Sequence, residues 1–284
     1  MTSAPALVML AHGSDHPAEE EVARDLCRRL QSLRPSLSIS LAFLDPGTPS
    51  GSDEVARLIR QGFVEIVFIP LDLSRAVEPD ESATALLTRM RQQHPDIKIS
   101  ASRPIGPATS LLGVIDERLR TALRATHAVE LDGLVLSLPE SGDARGNALV
   151  ARRARQWSNH HKLPVVVSVA DGSGPSPASA IAALRAQGRR HIAVGSLFIG
   201  ETSAFSLQAE QSRAAGAVAV SAPLGADDRV LELVMARYSY AAMDMLDDDV
   251  LDARDDLASL MDDQVGDHVR DHSGPAEPVV VDES

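Results

Sequence analysis

Two stretches of this chain recur at one fixed offset, and that repetition limits its architecture more than any other feature. LAFLDPGTPS at Leu41–Ser50 returns as VSVADGSGPS at Val167–Ser176, and IVFIPLDLS from Ile66 returns as IAVGSLFIG from Ile192, both displaced by 126 positions. LVMLAHGSDHP from Leu7 is answered by LVLSLPESGDA from Leu134, and RPIGPATSLLGVIDERL from Arg103 by APLGADDRVLELVMARY from Ala222. A period this long is outside the range of solenoid repeats and matches the size of one ordinary domain. The expected organisation is therefore two similar domains, 1–128 and 129–243, followed by a tail, 244–284. The halves differ where strands end, because His12, Asp45 and Glu78 in the first stand opposite Pro139, Asp171 and Ala204 in the second. Only the first half carries the chemistry.

Short apolar runs alternate with helix-length amphipathic segments. Strands are expected near 6–11, 38–44, 65–71 and 98–102, with helices near 18–33, 53–61, 81–93 and 108–125. The second half repeats the series, with strands near 134–138, 165–169, 192–197 and 217–222. Near-continuous apolar strands predict parallel sheets covered by helices on both faces. The fold class is α/β, with a four-stranded parallel sheet in each domain. Ligands of such sheets bind beyond the carboxyl ends of the strands, which is where His12, Asp45 and Glu78 fall. In the Gly/Pro-rich turns after the second strand of each half, Ser50 and Ser176 are placed to cap the next helix.

Charge is unevenly placed. From Asp244 onward, fourteen acidic residues face only Arg254 and Arg270, so nearly all of the net charge of −13 belongs to the tail. That segment predicts a weak acidic helix and a loose end, with a protein partner as one possible role. The near-neutral body offers no basic stripe for nucleic acid. No apolar run reaches the length of a membrane span, and the N-terminus lacks a secretory signal pattern. A single cysteine, Cys27, fits a reducing cytoplasm and an inert, partly buried thiol. The expected state is a cytoplasmic monomer with two pseudo-symmetric domains.

AHGSDHP at Ala11–Pro17 resembles the opening motif of the class II tetrapyrrole chelatases, the sirohydrochlorin cobalt- and ferrochelatases, in which a strand ends at a histidine followed by Gly-Ser. AFLDPGTPS from Ala42 and IVFIPLDLSRAVEPDES from Ile66 resemble the family's second- and third-strand segments, and the likeness spans about 240 residues in the duplicated architecture of long bacterial members. It implies insertion of ferrous iron or cobalt into sirohydrochlorin or a related tetrapyrrole, with the divalent metal as substrate and no organic cofactor. It also implies His12 as metal ligand and proton acceptor, and Asp45 as a second ligand. The family's second histidine is replaced by Glu78, so the implied metal set is His12, Asp45 and Glu78, with His12 and Glu78 catalytic. One imidazole and two carboxylates suit a divalent first-row ion.

Ser14, Arg75, Arg103 and Arg145 are candidates for holding the carboxylate-rich macrocycle, since a guanidinium grips a carboxylate at two points. His16 reads as a helix cap. Adjacent His160 and His161 point in different directions on a helix and make a poor chelating pair. His268 and His272 read as part of a solvated tail. A second reading of the same residues is a non-catalytic protein that binds metal or tetrapyrrole.

Overall fold

Strand β1 (Ala6–Ala11) is apolar throughout and its residues 6–10 are buried, as the continuous run requires of a strand covered on both faces. The computed structural model describes residues 4–14 and 17–246. In the first half β1 is followed by α1 (Pro17–Leu33), β2 (Ile39–Phe43), α2 (Gly51–Arg60), β3 (Glu65–Pro70), α3 (Glu81–Gln93), β4 (Lys98–Ala101) and α4 (Ser110–Ala125). In the second half the order is β5 (Gly133–Leu138), α5 (Ala144–His161), β6 (Val165–Val169), α6 (Pro177–Ala186), β7 (Ile192–Ser196), α7 (Ser203–Ala214) and β8 (Ala219–Val220). A closing helix starts at residue 228.

The sheets are ordered β2-β1-β3-β4 and β6-β5-β7-β8, and every pairing is parallel. The two four-stranded parallel sheets expected from the repeat are thus present. Chain order reverses between β1 and β3 in one sheet and between β5 and β7 in the other, and the crevice beyond such a reversal is the usual ligand position. Val8, Phe68, Val55, Leu58, Leu87 and Met90 build the core on one side of the first sheet. Val135, Val194, Ile181 and Leu184 do so in the second. Each fully buried large aliphatic or aromatic side chain contributes roughly 1.5–3 kcal/mol, so either core alone outweighs any surface ion pair in holding its sheet together.

Helix starts follow from local chemistry. Ser50 forms a capping box with Asp53 at α2, and the Ser176 hydroxyl accepts from Ser179 N at α6, as both turns predicted. The ends of the halves are exchanged. Helix α4 packs on β7 and β8, where Gly195 leaves room for Ile115 and Trp157: a Cβ there would lie 2.5 Å from Ile115 Cγ2 and 2.6 Å from the indole of Trp157. The closing helix reaches back to the first half, with Tyr238 Oη donating to Pro5 O (2.8 Å) and Arg237 Nε to Pro104 O (2.9 Å).

The halves also clasp each other near their rims in a pseudo-symmetric way. Asp143, before α5, accepts from Ala76 N and Val77 N of the first half, both at 3.0 Å. In the reciprocal contact Glu19, on α1, accepts from Ser203 N of the second half at 2.9 Å, and Ser203 is the residue 126 positions after Val77.

By its contacts the chain divides into Met1–Ala242 and Met243–Ser284, and both sheets belong to the first unit. Of the expected acidic tail, residues 247–284 lie outside the described residues, as does His16. No helix among the described residues is long and apolar enough to cross a membrane.

Candidate metal-binding cleft

His12 is the first residue beyond β1, and a close backbone approach holds it there. A Cβ on Gly13 would lie 2.1 Å from Leu44 O and 2.2 Å from Gly47 N, so only glycine lets the loop after β1 pass against the loop after β2. The imidazole lines a cleft of about 360 Å³ that draws on both halves. Val22, Phe43, Leu71, Phe198 and Ile199 give it apolar walls, and Glu19, Glu20, Asp72, Glu140 and Asp171 give it carboxylates.

Asp80 meets His12: its Oδ2 lies 3.2 Å from His12 Nε2, while its Oδ1 accepts from Ala83 N at 2.7 Å and caps α3. The His12 side chain is 55% exposed, and an ion pair in such a setting is worth about 1 kcal/mol or less. The contact therefore orients the ring more than it stabilises the fold.

Asp72 follows the last ladder contact of β3, Leu71 N to Leu10 O at 2.8 Å, which sets it beside the end of β1. Its Oδ1 accepts from Ser74 N (2.7 Å), Ser74 Oγ (2.9 Å) and Arg75 N (3.0 Å). Its Oδ2 is buried without a hydrogen bond and lies 3.5 Å from Arg75 Nε, which is likewise unbonded. The Arg75 guanidinium is thus the cation that faces this buried oxygen.

Glu140 comes from the second half. Burial pushes its carboxyl above the usual range, and the neighbouring Asp72 adds to this, with a smaller contribution from Asp80; His12 and Arg75 oppose the shift. The loop carrying Glu140 sits close because α5 begins with almost no side chain facing the partner half. A Cβ on Gly146 would lie 2.0 Å from Ser74 O.

The other residues singled out from the sequence fall as follows. Asp45 and Glu78 are exposed, and neither is among the residues lining the cleft. The backbone N–H of Glu78 instead helps to hold Asp143. The Ser14 hydroxyl donates to Glu19 Oε2 at 3.0 Å. Arg75 faces inward to Asp72, whereas Arg103 and Arg145 are exposed and outside the cleft lining. Burial pushes the Cys27 thiol up to about 11, with a further push from Glu54; such a thiol is unreactive near neutral pH.

Asp72, Asp80 and Glu140 were missed by sequence reasoning. The position of Asp72, directly after β3, was a usable signal. The signal for Asp80, eight residues farther along a loop, was weak, and Glu140 belongs to the half that lacks His12.

Residues 6–122 match the family model CbiX. Among solved structures, SirB from Bacillus subtilis with Fe3+ is similar at 16% identity and a TM-score of 0.65, over 84% of this chain and 96% of that one. The sirohydrochlorin chelatase SirB from Bacillus subtilis subspecies spizizenii in complex with cobalt is similar at 15% identity and a TM-score of 0.66, with the same coverage. DR2241 from Deinococcus radiodurans, a multi-domain protein described as structurally similar to chelatases, aligns at 14% identity and a TM-score of 0.54, over 84% of this chain and 55% of that one. At these identities the likeness is one of fold. No curated protein sequence matches the chain.

Proposed function

We propose that this chain, whose residues 6–122 match the CbiX family model, is a class II chelatase and inserts a divalent first-row metal, ferrous iron or cobalt, into sirohydrochlorin or a related tetrapyrrole. The observation that carries this reading is the imidazole of His12 in a cleft lined by carboxylates, where burial, Asp72 and Asp80 raise the carboxyl of Glu140. Insertion exchanges one M²⁺ for two pyrrole protons, so the site must present the ion and accept both protons. His12, an imidazole in reach of solvent, contacts the metal and takes one proton. Glu140, whose carboxyl already holds its proton more tightly than an exposed one, is matched to take the other. Asp80 keeps the ring of His12 oriented, and Asp72 supplies fixed negative charge behind it. In this proposal Asp45 and Glu78 meet the ion at the exposed rim.

An acidic cleft favours a cation over a polycarboxylate, so the macrocycle is proposed to lay its ring against Phe43, Phe198 and Ile199. Its carboxylates would point outward towards Arg103 and Arg145, with Arg75 and Ser14 shaping the loops beneath. The test is incubation of the full chain with sirohydrochlorin and Fe²⁺ or Co²⁺, followed by absorption. A rate equal to the protein-free control, together with no tetrapyrrole binding, would overturn the proposal.

The exposed position of Glu78, at the point where the family presents a second histidine, favours a second reading in which the chain binds metal or tetrapyrrole without inserting one into the other. Tight tetrapyrrole binding with no spectral sign of insertion would establish that reading instead.

A further inference from the structure

Helix α5 ends in two adjacent histidines, which on an ideal helix diverge by about 100°. In the structure they converge. Their rings meet edge to face at 4.8 Å between centroids, and both approach Asp116 of α4. His161 Nε2 lies 2.8 Å from Asp116 Oδ1, and one ligand atom from each of Asp116, His160 and His161 falls within 4.8 Å of the other two. The sequence expectation of a poor chelating pair fails here because the third ligand comes from a helix of the other half, packed across α5. The carboxylate is oriented by Trp157 Nε1, which donates to Asp116 Oδ1 at 2.7 Å, the kind of outer contact that fixes metal ligands. His160 is exposed and His161 partly so, which leaves an entry path.

We propose that Asp116, His160 and His161 form an accessory site for a divalent first-row cation such as Ni²⁺, Co²⁺ or Zn²⁺, separate from the cleft. Two imidazoles and one carboxylate suit these ions. With bonds of about 2.1 Å, tetrahedral ligands sit about 3.4 Å apart, so ring adjustments on the order of 1 Å close the set. Binding replaces the hydrogen bond between His161 Nε2 and Asp116 Oδ1 with two bonds to the ion. The last turn of α5 adds the negative end of its helix dipole. At about 1.5 Å per residue, His161 lies roughly 25 Å along α5 from its start beside the cleft, so an ion here takes no part in insertion. It ties α4 of the first half to α5 of the second.

Trp157 is the only tryptophan in the chain, and its indole contacts the proposed site directly, with its ring centroid 5.8 Å from that of His161. Its fluorescence should therefore be quenched saturably by Ni²⁺ or Co²⁺, both paramagnetic. The experiment is a Ni²⁺ titration of the full chain, of His160→Ala and of His12→Ala. Quenching in the parent and in His12→Ala, with the midpoint raised at least about tenfold in His160→Ala, is the expected result. His160 makes no hydrogen bond needed by the fold, so its variant is expected to keep the parent's melting temperature without metal. Absent or unsaturable quenching, or a His160→Ala curve that superimposes on the parent, would overturn the proposal. Loss of quenching in His12→Ala would place the responsible ion in the cleft and overturn it equally.

Discussion

The two rims share a backbone plan and carry opposite chemistry. His12 stands against Pro139, 127 positions on, and Asp72 against Phe198 and Asp80 against Ser206, each 126 positions on. His12 and Asp72 line the cleft, with Asp80 against His12, while Phe198 and Ile199 form an apolar wall of the same cleft. Glu140 breaks the division, since the second half supplies a carboxylate where the first has Gly13. The comparison teaches that duplication preserved what the backbone needs, namely strand order, helix caps and the reciprocal rim contacts, and left the side chains at the strand ends free to diverge. One half carries the imidazole, and the other supplies Phe198 and Ile199 to the wall of the same cleft.

The largest test of that asymmetry is His12→Ala beside Pro139→Ala. Loss of a proton acceptor that also contacts the metal is expected to lower the insertion rate by roughly 100-fold or more, whereas Pro139→Ala should remain within about twofold of the parent in the same assay. Equal losses would erase the distinction between the rims.

Glu140→Gln sharpens the comparison by removing the second-half carboxylate whose charge is opposed by Asp72 and Asp80. A fall of about tenfold in kcat is expected. Because burial raises the carboxyl, Glu140 stays protonated to higher pH than an ordinary glutamate, and the parent's kcat should climb as pH rises through that raised value. The Gln variant should lose this limb, as measured by a pH–rate profile of both proteins.

Gly146→Ala probes the seam between the halves without touching the cleft. A methyl group 2.0 Å from Ser74 O forces backbone apart, and overpacking of this kind costs about 1–3 kcal/mol. Urea denaturation should show the midpoint falling with its slope retained.

Asp143→Ala is expected to have the smallest effect, about 1 kcal/mol for a lost helix cap, and a specific pH signature. Burial works against the ionised carboxylate, but the N–H groups of Gly146, Val77, Ala76 and Glu78 outweigh it and hold the pKa down to about 2. The folded value is thus depressed below the unfolded value of about 3.9. The stabilisation is complete above the unfolded pKa and is lost as pH falls from about 4 through 2. Parent and variant stabilities should therefore converge across that window in acid denaturation, and a constant gap would assign the effect to packing alone.

Much of this was legible in the chain itself. The repeat offset and the continuous apolar strands specified two parallel sheets because period-2 and period-3.6 patterns act over a few residues. Ser50 and Ser176 announced their caps for the same local reason. The placement of His12 was legible as well, since a residue directly after a strand has little freedom. Asp45 and Glu78 belong to longer loops, where the orientation of a side chain depends on what the loop packs against.

Tertiary structure decided the rest. Sequence by itself determined the number and kind of elements, the doubling and the rim on which His12 stands, because these follow from short-range periodicity and chain connectivity. The pairing of His12 with Asp80, the raised carboxyl of Glu140, the exchange of α4 onto the second sheet and the meeting of Asp116 with His160 and His161 join residues that lie tens of positions apart. Burial and proximity across the seam between the halves create these properties, and no local pattern encodes them.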